Sequence, residues 1–339
     1  MIPSNRRFVR YARVVLVYNV GVVLWGAYVR ATGAGAGCGN HWPLCNGEVI
    51  PRSAALNTII EFTHRVTSGI DLAMVALLLV WAFRAFPQRH PARLGAVLSA
   101  VFLVSEALIG AALVLLEHVA RNASANRAWS LSTHLVNTLT LLACLTMTAW
   151  WGAGNPRSLA SGKPVILTAF TLGGVMVLGI TGAIAALGDT LFPARTLSEG
   201  FAQDFDRASN IFLRLRGLHP LIAVAVAAWV LWFAGSTAVR RPEVRRRARL
   251  VLGLLAAQLA AGAMNLLLMA PVAMQMVHLL LADAFWIALV LFCADMQNPR
   301  ELPINRYDLA IPARPGTSNS RADVSIRHGE ATGRDRHPT

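Results

Sequence analysis

Residues 134–145, HLVNTLTLLACL, return at 278–289 as HLLLADAFWIAL, a displacement of 278 − 134 = 144 residues. Each copy opens on a histidine and lies in an apolar stretch, roughly 131–152 and 275–294, long enough for a helix to cross about 30 Å of hydrocarbon at about 1.5 Å per residue. Six further stretches of that kind fall at roughly 12–31, 62–83, 94–116, 164–186, 211–234 and 250–270. Pro271 is the main sign of a break between the last two spans. With 339 residues, 55% hydrophobic, 14% charged and a mean hydropathy of +0.51, the chain is too apolar for an ordinary soluble domain. The expected fold is an all-α polytopic membrane protein. Its eight helices divide into an N-terminal half (1–152) and a C-terminal half (164–296), joined by a linker (153–163). A polar, Pro/Arg-rich tail (297–339) has too little apolar surface to fold and is expected to be disordered.

The net charge of +14 is arranged for a membrane and not for nucleic acid. Arg6, Arg7, Arg10 and Arg13 precede the first span; Arg84, Arg89 and Arg93 separate the second from the third; Arg157 and Lys163 lie between the fourth and fifth. RRPEVRRRAR (240–249) joins the sixth and seventh. Basic residues in alternate loops orient a protein and meet anionic lipid, which places these loops and both termini in the cytoplasm of a cell with this chain in its plasma membrane. ATGAGAG after the first span offers small residues like those of a cleavage site, but a retained first helix is the expectation.

The loop CGNHWPLC (38–45) then lies outside. Two close cysteines persist there as a disulfide, whereas Cys144 and Cys293 sit within spans as small apolar fillers. Covalent haem attachment would need C-x-x-C-H, and zinc would need ligands beyond His41 and the two thiols.

Imidazoles and charges inside spans are costly and mark function more often than structure. His64, His134, His219 and His278 begin spans two, four, six and eight, so all four are expected within about two turns of the outer face. Each half thus carries one histidine on its second helix and one on its fourth. Paired histidines facing across a bundle can grip a haem iron from both sides; the plainer reading is hydrogen-bonded packing. His90 and His118 fall in loops, and the plainer reading suits them. Arg65 and Arg216, beside the histidines, suit the propionates of a haem or simply snorkel to the interface. Glu61 stands one turn outward of His64 on the same face, about 4.5 Å along the axis, as a group for chemistry or as a helix-entry acid. Glu106 and Asp283 read as packing hydrogen bonds.

VRATGAGAGCGNHWPLCNG, EFTHR, STHLVNTLTLLACLTMTAWW, LHP and VHLLLADAFWIALVLF resemble, in order and spacing, the haem A synthases, over about residues 10–295. The resemblance implies a pseudo-twofold eight-helix bundle that oxidises one ring methyl of haem O to a formyl group through an alcohol, supplying haem A to terminal oxidases. It implies that His64 and His134 flank the substrate haem, that His219 and His278 ligate a haem B cofactor, that Glu61 is catalytic, and that the Cys38–Cys45 disulfide lies beside the substrate site. Implied partners are haem O, a haem O synthase that supplies it and an unidentified electron partner; a homo-oligomer is compatible with it. Two departures stand out. Gly39, Asn40 and His41 replace the family's more usual Cys-Pro-x-Trp-Pro spacing, and GDTLFPARTLSEGFAQDFDRASN lacks the second cysteine pair that some members carry between spans five and six.

Two other classes compete. A dihaem carrier that reacts with quinone would also pair histidines, but would stack haems toward both faces of the membrane. A transporter built on repeats would break helices at mid-membrane.

Overall fold

The structure is a computed structural model that describes residues 4–52, 55–156, 162–205 and 211–297, the side chains at 163 and 211 excepted. Residues 157–161 of the expected linker and 298–339 of the expected tail lie outside the described residues. Eight helical segments are long and apolar enough to cross a membrane, and the described residues contain no strand. They are α1 (Arg6–Ala31), α2 (Leu56–Ala85), α3 (Pro91–Leu115), α4 (Ala125–Gly152), α5 (Lys163–Leu191), the pair of α7 (Ile211–Arg216) with α8 (Leu218–Arg240), α9 (Arg245–Leu267) and α10 (Val272–Met296). A short α6 (Leu197–Phe205) precedes α7.

The helices outrun the apolar stretches. α2 and α4 begin at Leu56 and Ala125, so His64 and His134 lie more than two turns inside them, deeper along the helix than the apolar stretches suggested. Local chemistry sets these starts: Ser124 caps α4 by accepting from Arg127 N–H at 3.3 Å, and Asn5 caps α1 by accepting from Phe8 N–H at 3.1 Å. The sixth span is interrupted at Gly217, although its φ −64°, ψ −22° stay helical. Pro220 has no N–H for the Arg216 carbonyl one turn back, which accounts for the break. Pro271 acts as expected, standing in extended conformation at the start of α10.

The order of packing is that of a twofold. α1 packs on α2 and α4, as α5 packs on α8 and α10; α2 meets α3 as α8 meets α9; α3 meets α4 as α9 meets α10. Across the middle α1 touches α10 and α5 touches α4, while α4 and α10 touch each other. The central pair is accordingly the most enclosed, with 61% of the α4 span and 44% of the α10 span buried inside the protein, against 17–28% elsewhere. Leu141, Leu142, Leu145, Trp286, Leu289 and Phe292 fill this seam, and the Trp286 indole N–H donates to the Leu139 carbonyl at 2.7 Å. Lipid offers no hydrophobic drive between helices, so close approach and polar contacts hold the bundle. A Cβ on Gly95 would fall 2.5 Å from Thr148 Oγ1, which shows how tightly α3 lies on α4. At the C-terminal end of α1, Arg30 donates to the Ala186 carbonyl and Thr190 Oγ1 of α5 and to Gln275 Oε1 of α10, tying the halves together.

Candidate functional site

Three of the four span histidines press their rings on the bare backbone of a glycine. A Cβ added to Gly26 of α1 would fall 2.9 Å from His64 Cε1; on Gly182 of α5 it would fall 3.0 Å from His219 Cε1, and on Gly262 of α9, 3.0 Å from His278 Cε1. Any other residue would displace the imidazole. His134 differs. Gly110 of the neighbouring α3 has open space, and His134 Nδ1 instead lies 3.3 Å from Glu106 Oε1, near enough for strong electrostatic contact though outside hydrogen-bond geometry. Glu106 makes the packing hydrogen bonds expected of it, accepting from Asn137 and Thr138 of α4, and also faces this histidine. His64 and His134 are close enough for their charges to interact, as are His219 and His278.

The ring nitrogens suit a metal. Thr181 Oγ1 sits 3.0 Å from His219 Nδ1, which turns Nε2 of that ring toward any ligand. Among the described residues the buried Nδ1 atoms of His64, His134 and His278 have no hydrogen-bond partner, and His278 Nε2 is 3.4 Å from the Gln258 amide nitrogen. An imidazole can give one ring nitrogen to iron, and the other then needs an acceptor. Two other histidines are structural, His90 capping α3 by accepting from Ala92 N–H at 3.1 Å and His118 bonding Ser130 Oγ at 2.8 Å.

On the N-terminal side of His64 the loop between α1 and α2 is pinned to α2. Cys38 and Cys45 form the expected disulfide, with Cα atoms 4.4 Å apart and both residues buried. Glu61, only 3% exposed, accepts from Cys38 N–H at 2.9 Å through one carboxylate oxygen and from the Arg65 guanidinium through the other. Arg65 also donates to the carbonyls of His41 and Leu44, both at 2.7 Å. Thr58 donates to the Gly37 carbonyl at 2.7 Å, and a Cβ on Gly37 would fall 2.3 Å from the Asn57 carbonyl oxygen. Glu61 is thus fixed in place by the disulfide loop and one arginine.

Arg216 does the corresponding work in the other half. Its guanidinium meets Asp204 at 2.7 Å and Asp189 at 3.1 Å, and donates to the Gly200 carbonyl at 3.2 Å, holding α6 against α5. This network lies in the connection between α5 and α8. Both arginines expected near propionates therefore already have carboxylate partners. Asp283 is buried on α10 with Oδ2 unpartnered among the described residues.

The sequence reading missed Thr181, the three glycines, Glu106 and the helix α6. For α6 the signal was present: in TLSE, Thr196 Oγ1 accepts from Glu199 N–H at 3.1 Å, and the Glu199 carboxylate reaches back to Arg195 N–H at 2.8 Å, close to a capping box.

Residues 9–290 match the COX15-CtaA family, described as cytochrome oxidase assembly protein. The chain belongs to this family. Among curated relatives, a protein of Thermus thermophilus named protoheme IX farnesyltransferase is 48% identical over 292 residues, which are 85% of this chain and 48% of the Thermus protein. A Bacillus mycoides protein named heme A synthase is 44% identical over 110 residues, 32% of this chain and 35% of that protein, and a Bacillus cereus heme A synthase is 43% identical over the same length. The chain thus spans about half the length of the Thermus relative. As a family member with eight apolar helices it is a multi-pass membrane protein.

Proposed function

We propose that the chain is a haem A synthase, oxidising the ring methyl of haem O to a formyl group through an alcohol. The observation that carries this reading is the pair of equivalent histidine sites, each built from the second and fourth helix of its half and seated on glycine backbone. Haem A formation also accords with the names of the Bacillus relatives. In this reading His64 and His134 hold the substrate haem, and His219 and His278 hold haem B, whose chemistry is one-electron exchange with the substrate site. The N-terminal half (1–152) is then the substrate domain and the C-terminal half (164–296) the cofactor domain.

The protein's own groups orient the substrate and exclude water. His64 and His134 fix the ring between α2 and α4, while the disulfide loop closes over the outer end. Glu61 is the acid–base group in this scheme. It lies one turn from His64, and its two fixed donors keep the carboxylate aimed. Arg65 and Arg216 are placed to reach propionates only by sharing their carboxylate partners. Orientation with both termini in the cytoplasm, and with the site toward the outer face of the plasma membrane, follows from the basic loops. A haem O synthase and an electron partner complete the scheme.

Farnesyl transfer, the activity in the Thermus relative's name, requires carboxylates to hold a diphosphate's metal ion. Among the described residues no three His, Cys, Asp or Glu side chains converge as a metal site, and the alignment leaves 52% of that protein unmatched, where a transferase can reside. A quinone-reactive dihaem carrier would leave Glu61 without a task.

The test is to purify wild-type protein and Glu61→Gln from cells co-expressing a haem O synthase and to identify the extracted haems. Wild type should yield haem A and haem B. The variant should keep haem B and lose haem A, with haem O or its alcohol accumulating. Wild-type protein that converts no haem O would overturn the function; a variant with normal haem A would remove Glu61 from the chemistry.

A further inference from the structure

The α3 and α9 corners fix how the halves superpose. Glu117 (φ 55°) ends α3 and Met269 (φ 63°) ends α9 in the same left-handed turn. The next amide returns to the carbonyl five residues back in each, His118 N–H to Leu113 at 2.8 Å and Ala270 N–H to Asn265 at 2.7 Å. Laid on one another at these corners, Glu106 falls on Gln258, Gly110 on Gly262 and Ser105 on Ala257. Laid on one another at His134 and His278, Asn137 falls on Leu281 and Thr138 on Ala282. The differences between the halves at these positions belong together. In the N-terminal half Asn137 donates to Glu106 Oε2, the Thr138 hydroxyl lies between Glu106 Oε1 and the His134 carbonyl, and Ser105 donates to Asn137. In the C-terminal half the carboxylate is an amide, and the residues that would orient a carboxylate are apolar or small.

We propose that Glu106 is the positioning residue of His134, taking the proton of its Nδ1 as a hydrogen-bond acceptor and setting the electron balance between the two haem sites. This rests on the reading that His134 ligates the substrate haem through its other ring nitrogen. Nδ1 is buried, has no other partner, and lies 3.3 Å from Glu106 Oε1, so a small ring rotation completes the bond. A carboxylate acceptor strengthens the ligand's donation to iron and favours the ferric state, which an amide does far less. Gln258 does not match it at His278, being an amide whose nitrogen lies 3.4 Å from Nε2 and not at Nδ1. An electron leaving the substrate site therefore moves downhill to the haem held by His219 and His278.

The experiment is a redox titration of purified haem-loaded protein, followed optically and by electron paramagnetic resonance, on wild type, Glu106→Gln, the orientation variant Asn137→Leu/Thr138→Ala, Gln258→Glu and a His134→Ala control. Glu106→Gln should shift the N-terminal haem toward the ferrous state by about tenfold, which is about 59 mV for one electron, and leave the C-terminal haem unmoved. Gln258→Glu should move the C-terminal haem the opposite way, and the orientation variant should reproduce part of the first shift. His134→Ala should remove the N-terminal low-spin signal. If that signal survives His134→Ala, the haem reading itself fails and the proposal with it. If the signal is lost there but neither Glu106→Gln nor the orientation variant moves its potential, the proposal alone falls. Should Glu106→Gln not fold, an unmoved potential in the orientation variant and in Gln258→Glu overturns it equally.

Discussion

The two halves build the same histidine frame and close it differently. In the N-terminal half the connection from α1 to α2 is a covalent loop, Cys38–Cys45, clamped by Arg65 and Glu61 onto α2. In the C-terminal half the connection from α5 to α8 is an ionic hub, in which Arg216 gathers Asp189, Asp204 and the Gly200 carbonyl of α6. The histidines also differ in company. His219 and His278 have a hydroxyl and an amide beside them, whereas His134 faces a carboxylate and His64 lies one turn from another. In the proposed scheme a permanent cofactor takes a neutral, closed seat and a substrate to be oxidised needs acid–base groups at its edge; the carboxylates fall in the half assigned to the substrate.

The sharpest break between the halves is expected at the histidines themselves. His278→Ala should abolish haem B binding and leave the membrane-inserted fold, because the ring sits on Gly262 in an otherwise helical seam. His134→Ala should spare haem B and abolish retention of the substrate haem. Haem extraction from both variants checks the assignment, and equal loss of haem B in each would erase the distinction between cofactor and substrate halves.

A smaller effect should separate the closures. Arg216→Gln leaves Asp204 and Asp189 partly buried without their cation, and breaking such a pair typically costs about 3–5 kcal/mol. Thermal unfolding of the purified protein should show that loss, while Arg65→Gln, whose guanidinium also serves loop carbonyls nearer solvent, should lose less. A reversed order would mean that the disulfide loop depends on its arginine more than α6 does.

The legibility of these features in the sequence follows from their physics. Lipid forces about 20 apolar residues into each crossing helix, so the count of spans could be read directly. Their ends could not, since Ser124 and the first turns of α2 are set by capping and loop contacts, which apolarity does not record. The histidines stood out because imidazoles are rare in spans. Glu106 did not, because its meeting with His134 depends on how α3 is rotated against α4, a rotation fixed by the fit of Gly95 on Thr148. The sequence places Arg216 near a propionate because His219 is close to it in the chain; Asp189 and Asp204, which engage it, come from two other helices, α5 and α6.

The smallest expected effect concerns the glycines, and it tests the comparison most finely. At Gly26, Gly182 and Gly262 a methyl group would sit 2.9–3.0 Å from an imidazole carbon, closer than carbon atoms tolerate, so the ring must tilt or the helices must part. Both moves act on the iron ligand without changing its chemistry. Gly182→Ala and Gly262→Ala should therefore lower haem B occupancy several-fold, and Gly26→Ala should weaken substrate haem in the same way. Gly110, the counterpart of Gly262, meets nothing within 4 Å, and alanine there also favours the helix by roughly 0.5–1 kcal/mol. Gly110→Ala should leave both haems untouched. Haem-to-protein ratios for the four variants read this directly: a fall at Gly110 equal to that at Gly262 would mean that His134 does rest on α3 backbone, and that its turn toward Glu106 is not what distinguishes the two sites.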